Sequence, residues 1–265
     1  AWMTNASGGI YDIKRDGNIA NAGQIRNSGT FRKSGGSGEA TIGTPAAEVY
    51  FRLLGGTVEV TSGTLKLGRS YPDSTGGTFI VGQGAVLDIN GAASFPGEYT
   101  GTYQGQGAGR LELNGGNINI IAPGATFNFD GDLFQWTGGS INHASPDPFI
   151  NAGTINIAGM VQLHGYGLTN NGALRGNGRL QLTGNPSSIV NNGTISPGTS
   201  TTPGTLELNV PNGDLQMNAG SMLDIAIGGT GTAYSRLNKT DNRPYTLGGV
   251  LQLRLVNGFV PAPSD

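Results

Sequence analysis

The stretch Gly109–Ile120, which reads Gly-Arg-Leu-Glu-Leu-Asn-Gly-Gly-Asn-Ile-Asn-Ile, decides how this chain folds. Leucine or isoleucine alternates with polar residues in two short runs, and a pair of glycines separates the runs. Alternation with a period of two is typical of β-strands that bury one face, because successive side chains point to opposite sides. Asn-Gly and Gly-Gly pairs are typical of tight turns. The stretch therefore predicts two short strands joined by a turn.

The same unit recurs along most of the chain. Its copies are Gly56–Val60, Gly63–Leu67, Gly77–Val81, Ala85–Ile89, Gly109–Leu113, Gly116–Ile120, Ala125–Phe129, Gly153–Ile157, Gly178–Leu182, Gly204–Leu208, Gly213–Met217 and Met222–Ile225. Neighbouring units begin so close together that long hairpins are disfavoured, and three units make a coil of about 20–25 residues, a period at which solenoids are expected. We therefore predict an all-β fold, a parallel β-helix with about three short strands per coil. An antiparallel β-sandwich or barrel is the alternative, since its strands recur at a similar spacing.

The pattern changes near the end of the sequence. The apolar runs Leu223–Ile227 and Leu247–Val256 are closer to continuous, and a long polar segment separates them. We predict that residues 1–222 form the β-helix and that residues 223–265 cap it or begin a further module. The segment Ala92–Gly107 also interrupts the repeat, so it is predicted to be a loop that carries a specific contact.

Composition excludes several classes of function. The 265 residues include 48 glycines and no cysteine, and the formal net charge is −2. Without cysteine there are no disulfides and no thiolate metal sites. There is no basic excess of the kind that nucleic-acid binding requires, and no apolar run approaches the roughly 18 residues of a membrane span. We expect no cofactor, no metal site, no nucleic-acid partner and no membrane-spanning segment. Few lysines, no cysteine and many Gly, Asn and Thr residues fit an exported bacterial protein, and a cytosolic origin is the alternative, since a reducing compartment also permits the absence of cysteine.

Six motifs in a fixed order carry a family resemblance. They are Asn27–Gly36 (NSGTFRKSGG), Gly56–Leu67, Phe134–Ile141 (FQWTGGSI), Asn192–Gly198, Gly204–Leu206 and Leu251–Pro261. In these motifs the chain resembles the β-helical repeat regions of large bacterial autotransporter-like and cell-surface proteins. The resemblance covers nearly the whole chain. It implies a right-handed parallel β-helix, an extracellular or cell-surface location, and the role of a stalk or adhesin without enzymatic activity.

Partners follow from this interpretation. We expect the module to contact glycans or surface proteins of a host or of neighbouring cells. Open coils at the two ends of a β-helix present unpaired strand edges. Contacts between unlike ends do not close, so they produce filaments. End-to-end association into fibres is therefore a further expectation.

Two other functions rest on particular residues. Polysaccharide-acting enzymes also use β-helices, and Asp130 and Asp132 are the candidate pair of carboxylates for hydrolysis, with Trp136 as a platform for a sugar ring. A glycan-binding module without catalysis would use exposed Tyr99, Tyr103 and Trp136. The plainer interpretation, which the pattern favours, puts both aspartates in a corner and Trp136 in the core.

Histidines and basic residues are expected at the surface. His143 and His164 lie in no recognisable catalytic or zinc-binding motif, so each is predicted on an exposed turn or strand face. Arg26, Arg32 and Lys33 form a mild basic cluster. We predict that these three side chains lie on a solvated strand face rather than in an anion-binding patch.

Overall fold

The chain is a parallel β-solenoid, as the repeat predicted. The computed structural model describes residues 2–20, 23–44, 46–71, 73–91, 95–144, 147–231, 233–243 and 245–262, and these residues form strands, turns and loops without a helix. The strands are β1 Trp2–Asn5, β2 Ile10–Ile13, β3 Gly17–Ile19, β4 Gln24–Asn27, β5 Thr30–Lys33, β6 Glu39–Ile42, β7 Tyr50–Val60, β8 Thr64–Lys66, β9 Gly76–Val81, β10 Val86–Asp88, β11 Gly97–Gln106, β12 Arg110–Phe129, β13 Phe134–His143, β14 Phe149–Asn151, β15 Thr154–Ile157, β16 Met160–His164, β17 Gly167–Asn170, β18 Ala173–Gly176, β19 Arg179–Leu182, β20 Ser188–Asn191, β21 Thr194–Pro197, β22 Thr205–Asn209, β23 Leu215–Met217, β24 Met222–Ile227, β25 Arg236–Lys239, β26 Tyr245–Thr246 and β27 Val250–Leu255.

Three columns of parallel strands form the faces of the solenoid. Column A contains β1, β4, β7, β11, β12, β13, β16, β19, β22 and β25, with Ser70 bridging between β7 and β11. Column B contains β2, β5, β7, β9, β11, β12, β14, β17, β20, β23 and β26. Column C contains β3, β6, β8, β10, β12, β13, β15, β18, β21, β24 and β27.

Each coil therefore takes one strand from every column, which confirms the predicted three strands per coil. The longer strands β7, β11, β12 and β13 turn a corner and serve two or three columns. Columns B and C each stack eleven strands, so at about 4.8 Å per step the stack is about 48 Å long. The pairings between the strands are parallel, which excludes the antiparallel sandwich or barrel. Beyond residue 222 the same columns continue, because β24 pairs with β27 and β22 pairs with β25.

The core follows from stacking equivalent inward residues. Leu87, Leu111 and Phe134 are register partners on successive coils of column C, and all three side chains are fully buried. Burying such a side chain contributes about 1.5–3 kcal/mol. Aromatic rings fill the middle of the rod: the ring of Phe127 lies 5.1 Å from that of Phe149 and 5.5 Å from that of Phe134. One apolar core therefore runs through successive coils.

Asparagines followed two residues later by glycine make one set of corners. In column B the buried side chains of Asn151, Asn170 and Asn191 form a ladder: Asn151 Nδ2 donates to Asn170 Oδ1 at 2.6 Å and Asn170 Nδ2 to Asn191 Oδ1 at 2.5 Å. Glycine follows because the coils approach closely; a Cβ on Gly172 would lie 1.9 Å from the carbonyl oxygen of Gly153. The Asn-x-Gly pattern in the sequence is therefore a corner motif that pairs with itself on the next coil.

Lys33 contradicts the prediction of a solvated basic face. It is the register partner of Ile13 and Val60, so its side chain points inward and is fully buried. Its ammonium donates to the carbonyl oxygens of Gly35, Gly36 and Ser62 and pairs with the Asp16 carboxylate at 3.1 Å. The strand alternation, which leaves Arg32 outward with Glu59 at 2.6 Å, decides which of the two cations is buried.

Candidate functional site

The three aromatic side chains that the glycan-binding alternative needs at the surface are in the core, so the exposure it requires is wrong and the favoured interpretation of Trp136 as a core residue is confirmed. Trp136 is 0% exposed and is the register partner of Leu113 and Ile157. Tyr99 and Tyr103 are also buried, and the Tyr99 hydroxyl donates to the carbonyl oxygen of Ile89 at 2.8 Å. All three occupy inward positions of their strands, where solvent and ligands have no access. None of them is available as a platform for a sugar ring.

Asp130 and Asp132 lie in an exposed turn between β12 and β13. The turn is closed by the N–H of Leu133, which donates to the carbonyl oxygen of Asp130 at 3.1 Å. Asp132 Oδ1 pairs with Arg175 Nη2 at 2.9 Å. The corner interpretation is therefore correct for both residues, and they do not share a strand face. Polysaccharide hydrolysis stays a prediction that a turnover assay with Asp132→Asn would test.

A second pair of carboxylates, Asp88 and Glu112, stacks on adjacent coils of column C. Burial, and to a lesser extent the charge of Glu112, raises the pKa of Asp88 to about 6. Its Oδ1 accepts the N–H of Asn90 at 3.2 Å, while its Oδ2 is buried without a hydrogen-bond partner. Asp88 is shielded from solvent, so it cannot act directly on a polymer. Within the described ranges no three His, Asp or Glu side chains are grouped as a metal site.

The corner between β13 and β14 lies beside two surface hollows. His143 ends β13, and its ring is buried, contrary to the predicted surface position. Nδ1 lies 3.0 Å from the carbonyl oxygen of Asp147, and Nε2 accepts the N–H of Gly167 on the next coil at 3.0 Å. The imidazole is therefore neutral with its proton on Nδ1, and burial lowers its pKa. We call the described residues Ala144, Asp147 and Pro148 the corner segment, and His143 connects this segment to the coil beside it.

Gly165 makes room for this imidazole. A Cβ on Gly165 would lie 1.9 Å from the carbonyl oxygen of His143 and 3.0 Å from its Cδ2. The other histidine, His164, is half-buried on the outer face of column A and contacts the Thr183 hydroxyl. It follows Asn119 and Asn142 in register, and Asn142 Nδ2 donates to Asn119 Oδ1 at 2.9 Å.

Two hollows flank the corner segment. The column B hollow has a volume of about 220 Å³, and its surface includes Asp147, Tyr166, Gly167, Thr169, Ser188 and Val190. The column A hollow lies on the other side, and its surface includes Asn119, Ile121, Asn142, His164 and Gly165. Of the residues around these two hollows, the sequence analysis named only His143 and His164. The insertion Ser-Pro-Asp-Pro at 145–148, which separates two repeat units, was the signal that could have drawn attention to this corner.

The predicted loop Ala92–Gly107 is largely a strand. β11 occupies Gly97–Gln106 and serves columns A and B, so the specific contact expected there has no long loop to carry it. Residues 92–94 lie outside the described residues.

No protein-family model, no curated protein and no solved structure matches this chain. In the described ranges no helix is long and apolar enough to cross a membrane.

Proposed function

We propose that this chain is a non-enzymatic structural or adhesive module of an exported bacterial surface protein. The observation that supports the proposal is the stack of eleven strands in columns B and C around one apolar core. Every inner coil is hydrogen-bonded to the coil before it and the coil after it. Such a stack is stiff along its axis, because bending it requires many parallel hydrogen bonds to stretch together. A stiff rod holds a binding surface at a distance from the cell that displays it.

The two terminal coils support an additional role in assembly. In the described part of the chain, β1, β2 and β3 pair with strands on one side only, and so do β25, β26 and β27. The last strand, β27, also exposes apolar side chains, and Leu251 is 61% exposed. Open parallel edges with apolar side chains are templates for further β-strands. We propose that these edges receive further solenoid coils, and that a second copy stacked end to end would form a fibre.

Negative-stain electron microscopy of the purified chain over a concentration series tests the assembly. We expect rods about 48 Å long that lengthen into fibres as the concentration rises. Leu251→Lys should shorten the fibres, because it places a charge in the end contact. Met160→Lys is the matched control, since Met160 is 66% exposed on a lateral face in β16. Isolated rods at every concentration would remove the fibre role and leave the stalk or adhesin role.

Adhesion is tested separately with beads coated with the purified chain. Beads that carry the chain should attach to layers of epithelial or bacterial cells, whereas albumin-coated beads should not. Globular or unfolded particles in the microscope together with no bead attachment would contradict the proposed function.

A further inference from the structure

The column B hollow beside the corner segment has the features of a small ligand site. It lies on the outer face of column B, between the corner segment and the strands β17 and β20. Its volume of about 220 Å³ is below the about 300–1,000 Å³ of pockets for drug-sized ligands. The hollow is therefore suited to a ligand about the size of one sugar ring.

The hollow is largely preformed, because His143 connects the corner segment, which forms its wall, to β17, which forms its floor. His143 bridges the carbonyl oxygen of Asp147 in the wall and the N–H of Gly167 in the floor, both at 3.0 Å. A hydrogen bond within the corner segment, from the N–H of Asp147 to the carbonyl oxygen of Ala144 at 2.8 Å, holds the wall in shape. A ligand that enters has little chain to order, which reduces the entropic cost of binding.

The exposed groups combine one aromatic ring with hydroxyls. Tyr166 is 51% exposed at the edge of the hollow, although most large rings of this chain are in the core. Thr169 and Ser188 line the floor. Ser188 Oγ accepts the N–H of Asp214 at 3.2 Å, so its own O–H remains able to donate to a ligand. An aromatic face beside donors and acceptors matches a sugar, whose ring has an apolar C–H face and a rim of hydroxyls.

The charges of the side chains around the hollow restrict the class of sugar that it can bind. Among the described residues that line the hollow, Asp147 is the acidic one and His143 is neutral, and none is lysine or arginine. A carboxylate disfavours sialic or uronic acids through like-charge repulsion and accepts hydrogen bonds from sugar hydroxyls. We propose that this hollow binds a single neutral sugar residue of a glycan, with Tyr166 stacked on the ring and Thr169, Ser188 and Asp147 bonded to its hydroxyls. The inference rests on the proposed adhesive function, for which it names the ligand.

Saturation-transfer NMR with the methyl glycosides of galactose, glucose, mannose and N-acetylglucosamine tests the site. At least one of these probes should bind the intact chain. Tyr166→Ala should weaken binding about tenfold, and Thr169→Val should weaken it several-fold. Tyr245→Ala is the matched control, because Tyr245 is 50% exposed but lies on the last coil; it should leave binding unchanged. Thermal unfolding of each variant establishes that the fold is retained.

Several results would overturn the inference. They are the absence of binding by every neutral probe, stronger binding of N-acetylneuraminic acid than of the neutral probes, and equal losses in Tyr166→Ala and Tyr245→Ala. If the beads still attach to cells while no neutral sugar binds, the sugar site is wrong and the adhesive function stands. If neither occurs, the adhesive role fails together with the site.

Discussion

His143 and Gly167 are joined across adjacent coils: the Gly167 N–H donates to His143 Nε2 at 3.0 Å. The acceptor is a ring nitrogen that must stay unprotonated, because the other nitrogen already donates to the carbonyl oxygen of Asp147. Protonation of the ring would leave the Gly167 N–H facing another N–H. The attachment of the corner segment therefore depends on a neutral histidine.

We expect this histidine to make stability depend on pH. Burial lowers its folded-state pKa below 6.5. In the pH range between the folded and unfolded values, the unfolded chain binds the additional proton, so stability falls as pH decreases from about 6.5 through the lower folded value. Denaturant unfolding at pH 7.5 and pH 5.5 is compared in the Asp88→Asn background, because the raised pKa of Asp88, about 6, offsets part of this loss in the intact chain. With His164→Gln added the loss should remain, whereas with His143→Gln added it should be smaller. Equal pH dependence of stability in the two variants would contradict the assignment of this loss to His143.

Asp88 is expected to make stability depend on pH in the opposite direction. Its folded-state pKa is raised from 3.8 to about 6, so between these values the folded chain binds more protons and stability falls as pH rises. Asp88→Asn removes the buried charge and keeps an oxygen for the Asn90 N–H. It should raise the free energy of unfolding by about 1–3 kcal/mol at pH 7.5, with the gain disappearing below pH of about 4.

Asp130→Asn is the control for this variant. Asp130 lies in an exposed turn, so its replacement should change the free energy of unfolding by less than about 0.5 kcal/mol. Destabilisation by Asp88→Asn at pH 7.5 would mean that the Asp88 charge is stabilising in the folded chain.

Lys33 should be required for stability because its buried ammonium donates to three carbonyl oxygens, of which that of Gly36 also accepts from the Ser62 hydroxyl at 2.6 Å. Lys33→Met keeps the aliphatic stem but leaves the oxygens of Gly35, Gly36 and Ser62 without this donor. We expect a loss of about 1–3 kcal/mol in the free energy of unfolding, measured by urea denaturation. Lys14→Met, at an exposed lysine, is the control and should change stability by less than about 0.5 kcal/mol. Equal losses of stability in Lys33→Met and Lys14→Met would show that the Lys33 ammonium does not contribute to stability.

The asparagine ladder should couple neighbouring coils. Asn170 accepts from Asn151 and donates to Asn191 Oδ1 and to the carbonyl oxygen of Thr194 at 3.1 Å. Asn170→Ala leaves buried groups unpaired on both sides, so it should cost about 2–4 kcal/mol. Exposed Asn192→Ala should cost much less. Hydrogen exchange should then accelerate first in the coils of β14, β17 and β20; unchanged exchange there would argue against the coupling.

Much of the architecture was predictable because its signals are local. The two-residue alternation in Gly109–Ile120 and the spacing of its glycines indicate short strands and tight corners, and this spacing favours a solenoid over the antiparallel sandwich or barrel. One Asn-x-Gly unit, Asn27–Gly29, belongs to the first family-like motif, but Asn151, Asn170 and Asn191 lie outside the six motifs. The hydrogen-bonded ladder of these asparagines could not be predicted from the sequence, since it requires equivalent residues of successive coils to meet.

The site residues were harder to predict because alternation assigns residues to two faces without saying which face is inward. Phe134 and Trp136 fall on the same face, and the structure places that face in the core. Lys33 shares its face with Phe31, yet its charge suggested a surface position. The turn at Asp130 and Asp132 was foreseen only as the plainer of two interpretations.

By itself, the sequence determined the alternation along the strands, the corner chemistry and the three-strand period, because these depend on residues close together in the chain. Only the tertiary structure decided the burial of Trp136 and Lys33, the raised pKa of Asp88 and the attachment of the corner segment by His143. Each of these depends on contacts between coils, and His143 and Gly167 are 24 residues apart. The register between coils is set by packing of the whole stack, so no local pattern encodes which side chains meet.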